Sequence, residues 1–305
     1  MSKKTLRERI ANHNNDYSLL EPFSPAEPIS TTIVIPVYNG IKMFEKTLQS
    51  LVKQPEIMNR PDNFEIIVVN DGSTEDVTEV CKTSSLHGSV SSPVPCPVSF
   101  VQLKENQGRS SARNIGLEHA NGNLVFFLDS DVVVPEYFFH PHWNIHRAAE
   151  RTGVSAVVLG MAENVQLNDL RIDGGYFPDM SKDFRKADDG KDWFPQRRKS
   201  KLLEESENLK YFHDADFTLQ DLVVTHSLSL PTALARAVGG FNTSFRGWGY
   251  EDTHFGAKLM AASCFLIPCQ ETGVFKIQHK ARKGNMTKEC YANKKIYQQL
   301  LDEAR

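Results

Sequence analysis

Asp129 and Asp131, two carboxylates one residue apart, close an unbroken apolar run in the stretch LVFFLDSDVVVPEYF, Leu124 to Phe138. Ionised aspartate beside a core strand is costly unless a cation or strong hydrogen bonds compensate. In a strand the two would share a side, because side chains alternate. Such a pair suits a divalent metal or the hydroxyls of a ribose. A second acidic pair, Glu251 and Asp252, opens the helical pattern EDTHFGAKLMA. Adjacent helical residues point about 100° apart, so these two acids cannot share one job. One can abstract a proton while the other caps the helix or holds a hydroxyl. The helix N-terminus favours the ionised form of both.

These groups need a scaffold. TTIVIPV (Thr31–Val37), FEIIVVN (Phe64–Asn70), VSFVQL (Val98–Leu103) and LVFFLD (Leu124–Asp129) read as buried strands. Between them lie helical patterns: IKMFEKTLQSLVKQ, with Ile41, Phe44, Leu48, Leu51 and Val52 at helical spacing, then STEDVTEVCK, with Ser73 or Thr74 as cap, and RSSARNIGLEHA. Apolar strands alternating with amphipathic helices indicate a parallel sheet covered on both faces. Ligands on such sheets bind beyond the carboxyl ends of the strands. Those ends carry Pro36-Val37-Tyr38-Asn39, Asn70-Asp71-Gly72-Ser73, Asn106-Gln107-Gly108-Arg109 and Asp129-Ser130-Asp131. Four polar clusters therefore converge on one edge.

Further along, PEYFFHPHWNIHRAAE begins a helix with Pro135 at an early position, and VSAVVLGMA reads as another buried strand. Residues 163–222 are charged and irregular, a length of chain that suits a lid or an acceptor site. The closing stretch TKECYANKKIYQQLLDEA reads as a helix.

The composition of the 305-residue chain, 40% hydrophobic and 24% charged, is that of a soluble globular protein. A formal charge of −3 gives no electrostatic footprint for nucleic acid. Five scattered cysteines, without a matching set of Cys and His ligands, argue for reduced thiols rather than zinc. The basic N-terminus lacks the apolar core of a signal peptide, and no run reaches the ~18 apolar residues of a membrane span. A cytoplasmic protein is expected, with peripheral membrane association left open.

Taken together, TTIVIPVYNG, EIIVVNDGSTED, ENQGRSSARNIGLEHANGNLVFFLDSDV and VGGFNTSFRGWGYEDTHFGAKL resemble a GT-A fold glycosyltransferase of the family 2 type, over roughly residues 31–280. GWGYED also resembles the Trp-Gly-x-Glu-Asp element of galactosyl- and N-acetylgalactosaminyltransferases. The resemblance implies a mostly parallel twisted α/β sheet with a nucleotide-sugar half (31–132) and an acceptor half (133–280). A leader or linker (1–30) precedes it, and a basic loop and helix (281–305) follow. By the same resemblance, Pro36, Val37 and Tyr38 line a base pocket beside Asn39, and Asp71 meets the uracil edge. Arg113 lies against the nucleotide or its phosphates, Asn106 and Gly108 shape the loop, Asp129 with Ser130 meets the ribose, and Asp131 binds a divalent cation. Asp252, or in second place Glu251, is the catalytic base. His279 is either a further metal ligand or a strand-end histidine, and Trp248, beside Gly249, either stacks on a sugar or packs in the core. The Gln-x-x-Arg-Trp element of processive synthases is missing.

The chemistry agrees with these residue types. A nucleoside diphosphate gains charge as it leaves, and Mn²⁺ or Mg²⁺ held by oxygen ligands can neutralise it. A carboxylate that accepts the proton of the incoming hydroxyl contributes typically ~10²–10⁴-fold in rate. The expected activity is transfer of one hexose or N-acetylhexosamine from a UDP-sugar to a hydroxyl of a carbohydrate or other acceptor, with inversion. The alternative is a non-catalytic nucleotide-sugar-binding protein on the same fold.

Overall fold

The fold was obtained as a computed structural model that describes residues 4–11, 20, 27–83, 95–160, 162–167, 219–278 and 286–303. Strand β1 (Thr31–Val37) owes its form to β-branched residues, which suit a pleated, buried surface. Its side chains alternate between two cores. Ile33, Ile35 and Val37 join Phe44, Leu48 and Leu51 of helix α2 (Ile41–Val52) and Phe139 and Trp143 of α6 (Phe139–Arg151). Val34 faces the other way, toward Leu117 of α5 (Arg109–His119) and Phe255 and Leu259 of α8 (Glu251–Ala261). Burying each such side chain is worth about 1.5–3 kcal/mol, so both faces of the sheet are firmly covered.

The main sheet has seven strands in the order β3-β2-β1-β4-β8-β6-β9. Here β2 is Phe64–Asn70, β3 Val98–Gln102, β4 Leu124–Phe127, β6 Ala156–Leu159, β8 Leu228–Pro231 and β9 Phe265–Pro268. The first four strands run parallel, so their carboxyl ends share one edge. The strand β8 enters antiparallel between β4 and β6, which makes the sheet mostly, but not wholly, parallel. Pro36 fits within β1 because β4 pairs with β1 only as far as Val34, so the missing amide faces no neighbour. On the β8 side, His142 and His146 of α6 both hydrogen-bond the Ser229 hydroxyl at 2.8 Å. Burial holds both imidazoles toward the neutral form, His146 down to about 3.

A second, three-stranded sheet lies at the site edge in the order β5-β10-β7, with β5 Val132–Val133, β7 Ala162–Gln166 and β10 Val274–Gln278. Sequence periodicity did not reveal it, since β5 has only two residues and the pattern of β7 and β10 does not say what they pair with. The helix expected from Ser73 begins instead at Val77 (α4, Val77–Thr83). Ser73 and Thr74 are occupied elsewhere: the Asn39 amide donates to Ser73 Oγ, and the Thr74 amide donates to Asn39 Oδ1. Pro135 likewise precedes its helix, which starts at Phe139.

Within the expected leader, Leu6–Ile10 forms a short helix, α1, with Thr5 and Glu8 as a reciprocal cap. Leu6 is buried with Phe245 and Ala257 and with Tyr297, Leu300 and Leu301 of α9 (Met286–Asp302). Arg7 pairs with Asp302 at 2.7 Å. Residues 4–11 are thus a docked element. Among the described residues no helix is long and apolar enough to cross a membrane.

Candidate active site

Four parallel strands deliver their end loops to one rim. After β1, Tyr38 is exposed and Pro36 half-buried, whereas Val37 lies at 0% exposure in the core. Strand alternation puts the Val37 side chain on the face of Ile33 and Ile35, packed in the core. Asn39 takes a left-handed conformation and ties the β1 loop to the β2 loop.

Asp71, at the end of β2, is buried, and its two oxygens accept the amides of Gln107 and Gly108 at 2.7 and 2.9 Å. In the chain alone, the carboxylate to which the resemblance gives a base contact braces the loop before α5. Gly72 makes this possible: a Cβ there would stand 2.5 Å from the Glu105 carbonyl carbon. Asn106 stays exposed on that loop and Gly108 half-buried, and Arg246 reaches across to the Gln107 carbonyl at 2.6 Å.

Arg113, one turn into α5, is the hub. Its guanidinium is 2% exposed and rests over the Phe241 ring at 5.4 Å. It meets Asp129 at 2.9 Å, Asp252 at 3.3 Å and Glu251 at 4.0 Å. A buried guanidinium is held by such partners, and its planar fork suits several carboxylates at once. Burial opposes its charge, but Asp252, Asp129 and Glu251 outweigh it and raise its pKa further.

Beyond β4 the chain turns at Asp129-Ser130-Asp131, with Ser130 half-buried, and enters β5. The turn, not strand alternation, brings the carboxylates together. They converge on the ammonium of Lys276 in β10, which lies 3.0 Å from Asp129 Oδ2 and 3.5 Å from Asp131 Oδ1. The small sheet fixes this geometry: Lys276 stands opposite Val132, and the Ile277 amide donates to the Asp131 carbonyl at 2.8 Å. Burial works against ionised Asp129, but Lys276 and then Arg113 hold it far below the usual carboxylate range.

Across the rim, α8 opens on Tyr250, itself left-handed at φ 70°. Glu251 is buried and pairs with Arg109 at 3.2 Å. Asp252 keeps 19% of its side chain exposed and accepts the Thr225 amide and hydroxyl at 3.3 and 3.2 Å. Burial raises the Asp252 carboxyl to about 6, with Arg113 opposing and Glu251 adding to the rise. Trp248 precedes them, 41% exposed, so packing in the core is not its role. Gly249 follows in a left-handed conformation (φ 98°) that only glycine adopts freely.

This loop is held from behind by α9. Asn293, itself buried, donates to the carbonyls of Arg246, Trp248 and Gly249, and Glu289 accepts the Trp248 amide at 3.0 Å. His226 is buried and bonds the Gly160 carbonyl at 3.2 Å. His279, Lys280, Arg282, Lys283 and most of 163–222 lie outside the described residues.

Two carboxylates converging on an ammonium show that the oxygens of Asp129 and Asp131 can close on one cation. That donor set fits a hard divalent ion with diphosphate oxygens and water as further ligands. Among the described residues no group of three His, Cys, Asp or Glu side chains could hold a metal by itself. Lys276, Arg109, Asn293 and Glu289 were missed by sequence reasoning. Arg109 could have been found, since it closes one of the four polar clusters.

The sheet order and the rim of polar loops define a GT-A nucleotide-sugar fold. Solved structures of the same fold include two with bound nucleotide sugar. One is the mannosyltransferase PcManGT of Pyrobaculum calidifontis, in complex with GDP-Man and Mn²⁺ (TM-score 0.57, 17% identity, covering 90% of this chain and 63% of that one). The other is S. aureus TarS 1–349, in complex with UDP-GlcNAc (TM-score 0.56, 17% identity, 89% and 66%). The description "Glycosyl transferase family 2" matches residues 32–216. That is more than half of the chain, which belongs to this family. Residues 227–287 match "N-terminal domain of galactosyltransferase", the stretch that contains GWGYED. Validoxylamine A glucosyltransferase of Streptomyces hygroscopicus subsp. limoneus is 28% identical over 264 residues, 82% of this chain and 52% of the relative. An uncharacterized glycosyltransferase of Rickettsia bellii is 36% identical over 109 residues, 36% of this chain and 13% of that protein. The chain thus spans about half the length of one curated relative and a small part of the other.

Proposed function

We propose that the chain transfers a single hexose or N-acetylhexosamine from a UDP-sugar to an acceptor hydroxyl, with inversion. The observation that carries this reading is the grouping of four acids from opposite sides of the rim around Arg113 and Lys276. The family membership and the nucleotide sugars held by its structural neighbours support it.

In this reading Tyr38 and Pro36 flank the base, and the loop at 106–108, braced by Asp71, meets the nucleotide. Asp129 and Asp131 hold the divalent ion, Mn²⁺ or Mg²⁺, which when bound neutralises charge on the departing diphosphate. Asp252 takes the proton of the acceptor hydroxyl. Its carboxyl near 6 is largely ionised at neutral pH yet basic enough to accept that proton. Thr225 and Arg113 aim it, and Glu251 turns inward to Arg109, which leaves Asp252 as the acid with open surface. Trp248 offers a flat face on which an acceptor sugar can stack.

A panel of nucleotide sugars, tested with Mn²⁺ by thermal stabilisation and then by mass spectrometry of products, checks this. UDP-sugars should stabilise and turn over, and EDTA or Asp131→Ala should remove both effects. Full activity of Asp131→Ala in EDTA would refute the metal role, and binding without any transfer would leave a non-catalytic nucleotide-sugar protein.

A further inference from the structure

The position that a metal would take between Asp129 and Asp131 is also the position of a side chain. Lys276 Nζ lies 3.0 Å from one carboxylate and 3.5 Å from the other, where their oxygens converge. The remaining oxygen of Asp129 is held by Arg113. We propose that Lys276 competes with the divalent ion for Asp129 and Asp131, so that the ion binds well only together with a nucleotide diphosphate. The proposal rests on the metal reading above.

The argument is one of charge and reach. An ammonium and a divalent cation a few ångströms apart repel strongly, and more so away from bulk water. They cannot both sit between the same two carboxylates. The backbone of Lys276 cannot yield, because β10 pairs with Val132 on one side and Asn164 on the other. The side chain can. It has a flexible four-carbon stem and is 32% exposed, so the ammonium has water to swing into. Leaving its carboxylates is nonetheless unfavourable while nothing else receives it.

A diphosphate changes both sides of that balance. Its oxygens complete the coordination of the ion, and they give the released ammonium a new anionic partner. Without nucleotide the site is already neutralised by Lys276. With nucleotide, the ion takes the carboxylates and the lysine turns to phosphate. Metal and donor then bind as a linked pair, with Lys276 as the positioning residue that links them.

Replacing Lys276 with methionine keeps the length of the stem and removes the charge. Mn²⁺ binding is read from the loss of the free-ion electron paramagnetic resonance signal, with and without UDP, on protein shown to be folded by circular dichroism. The wild type should bind Mn²⁺ weakly alone and much more tightly with UDP. Lys276→Met should bind Mn²⁺ alone roughly 10-fold more tightly than wild type, the factor set by how fully the lysine occupies the site. With Mn²⁺ affinity in the presence of UDP unchanged, the enhancement by UDP shrinks by that factor, and by reciprocity so does the enhancement of UDP binding by Mn²⁺. A wild-type crystal grown with UDP and Mn²⁺ provides a second readout, independent of whether the variant folds: Nζ should have left the carboxylates. If both proteins bind Mn²⁺ with UDP but the variant gains nothing without it, or if Nζ stays between the aspartates beside the ion, competition is overturned and the metal site stands. If neither binds Mn²⁺ even with UDP, the metal reading falls and this proposal with it.

Discussion

Asp252 shows how much one side chain depends on its neighbours. Burial lifts its carboxyl to about 6, and Arg113, Glu251, Asp129 and Arg109 all act on the same titration. A base works only when ionised, so turnover should fall about tenfold per pH unit below ~6 and level off above it. A pH–rate profile of kcat checks this, and a flat profile from pH 7 to 5 would remove Asp252 from the role. Asp252→Asn should abolish turnover and leave UDP binding intact. Asp129, Asp131, Glu251 and Asp252 stood out in the sequence because acids beside apolar runs demand an explanation, whereas Arg113 was named only through the family resemblance. Lys276 was not, since a lone lysine in VFKIQ looks like the solvent face of an edge strand.

Among the elements, α9 has the least obvious part. It lies at the far end of the chain, yet Asn293 and Glu289 satisfy the backbone of the loop that carries Trp248 and Gly249. Losing buried hydrogen bonds costs about 1–3 kcal/mol for each group left unsatisfied. Asn293→Ala should therefore loosen the loop, raising the acceptor KM several-fold while the affinity for UDP, measured by calorimetry, holds. An equal loss for donor and acceptor would mean general unfolding rather than loop release. The first four strands and α2, α5 and α8 could be read from periodicity almost to the residue. Antiparallel β8 could not, because apolar runs report burial and are silent about direction. Nor could the small sheet, since β5 has only two residues and a strand pattern does not say which strands will pair.

The molecule as a whole carries a liability to acid. His142 and His146 are neutral in the fold because burial lowers both, His146 to about 3 against an ordinary 6.5. Unfolding exposes them, and the unfolded chain then binds more protons. Their contribution to stability is complete above pH ~6.5 and is lost as the pH falls, by roughly 1.4 kcal/mol per pH unit for each histidine. The urea midpoint should drop steeply between pH 7 and 5, and His146→Gln should flatten that drop. A midpoint indifferent to pH would show that the pair is not neutral in the fold.

Arg113 and Asn114 sit on α5, before residue 132, but they reach Asp252 and the backbone of Phe241 well beyond it. β8 is also stitched between β4 and β6. A chimera cut at residue 132 would sever that weave. Retargeting the enzyme toward new products is better attempted by reshaping side chains around Trp248 than by exchanging halves.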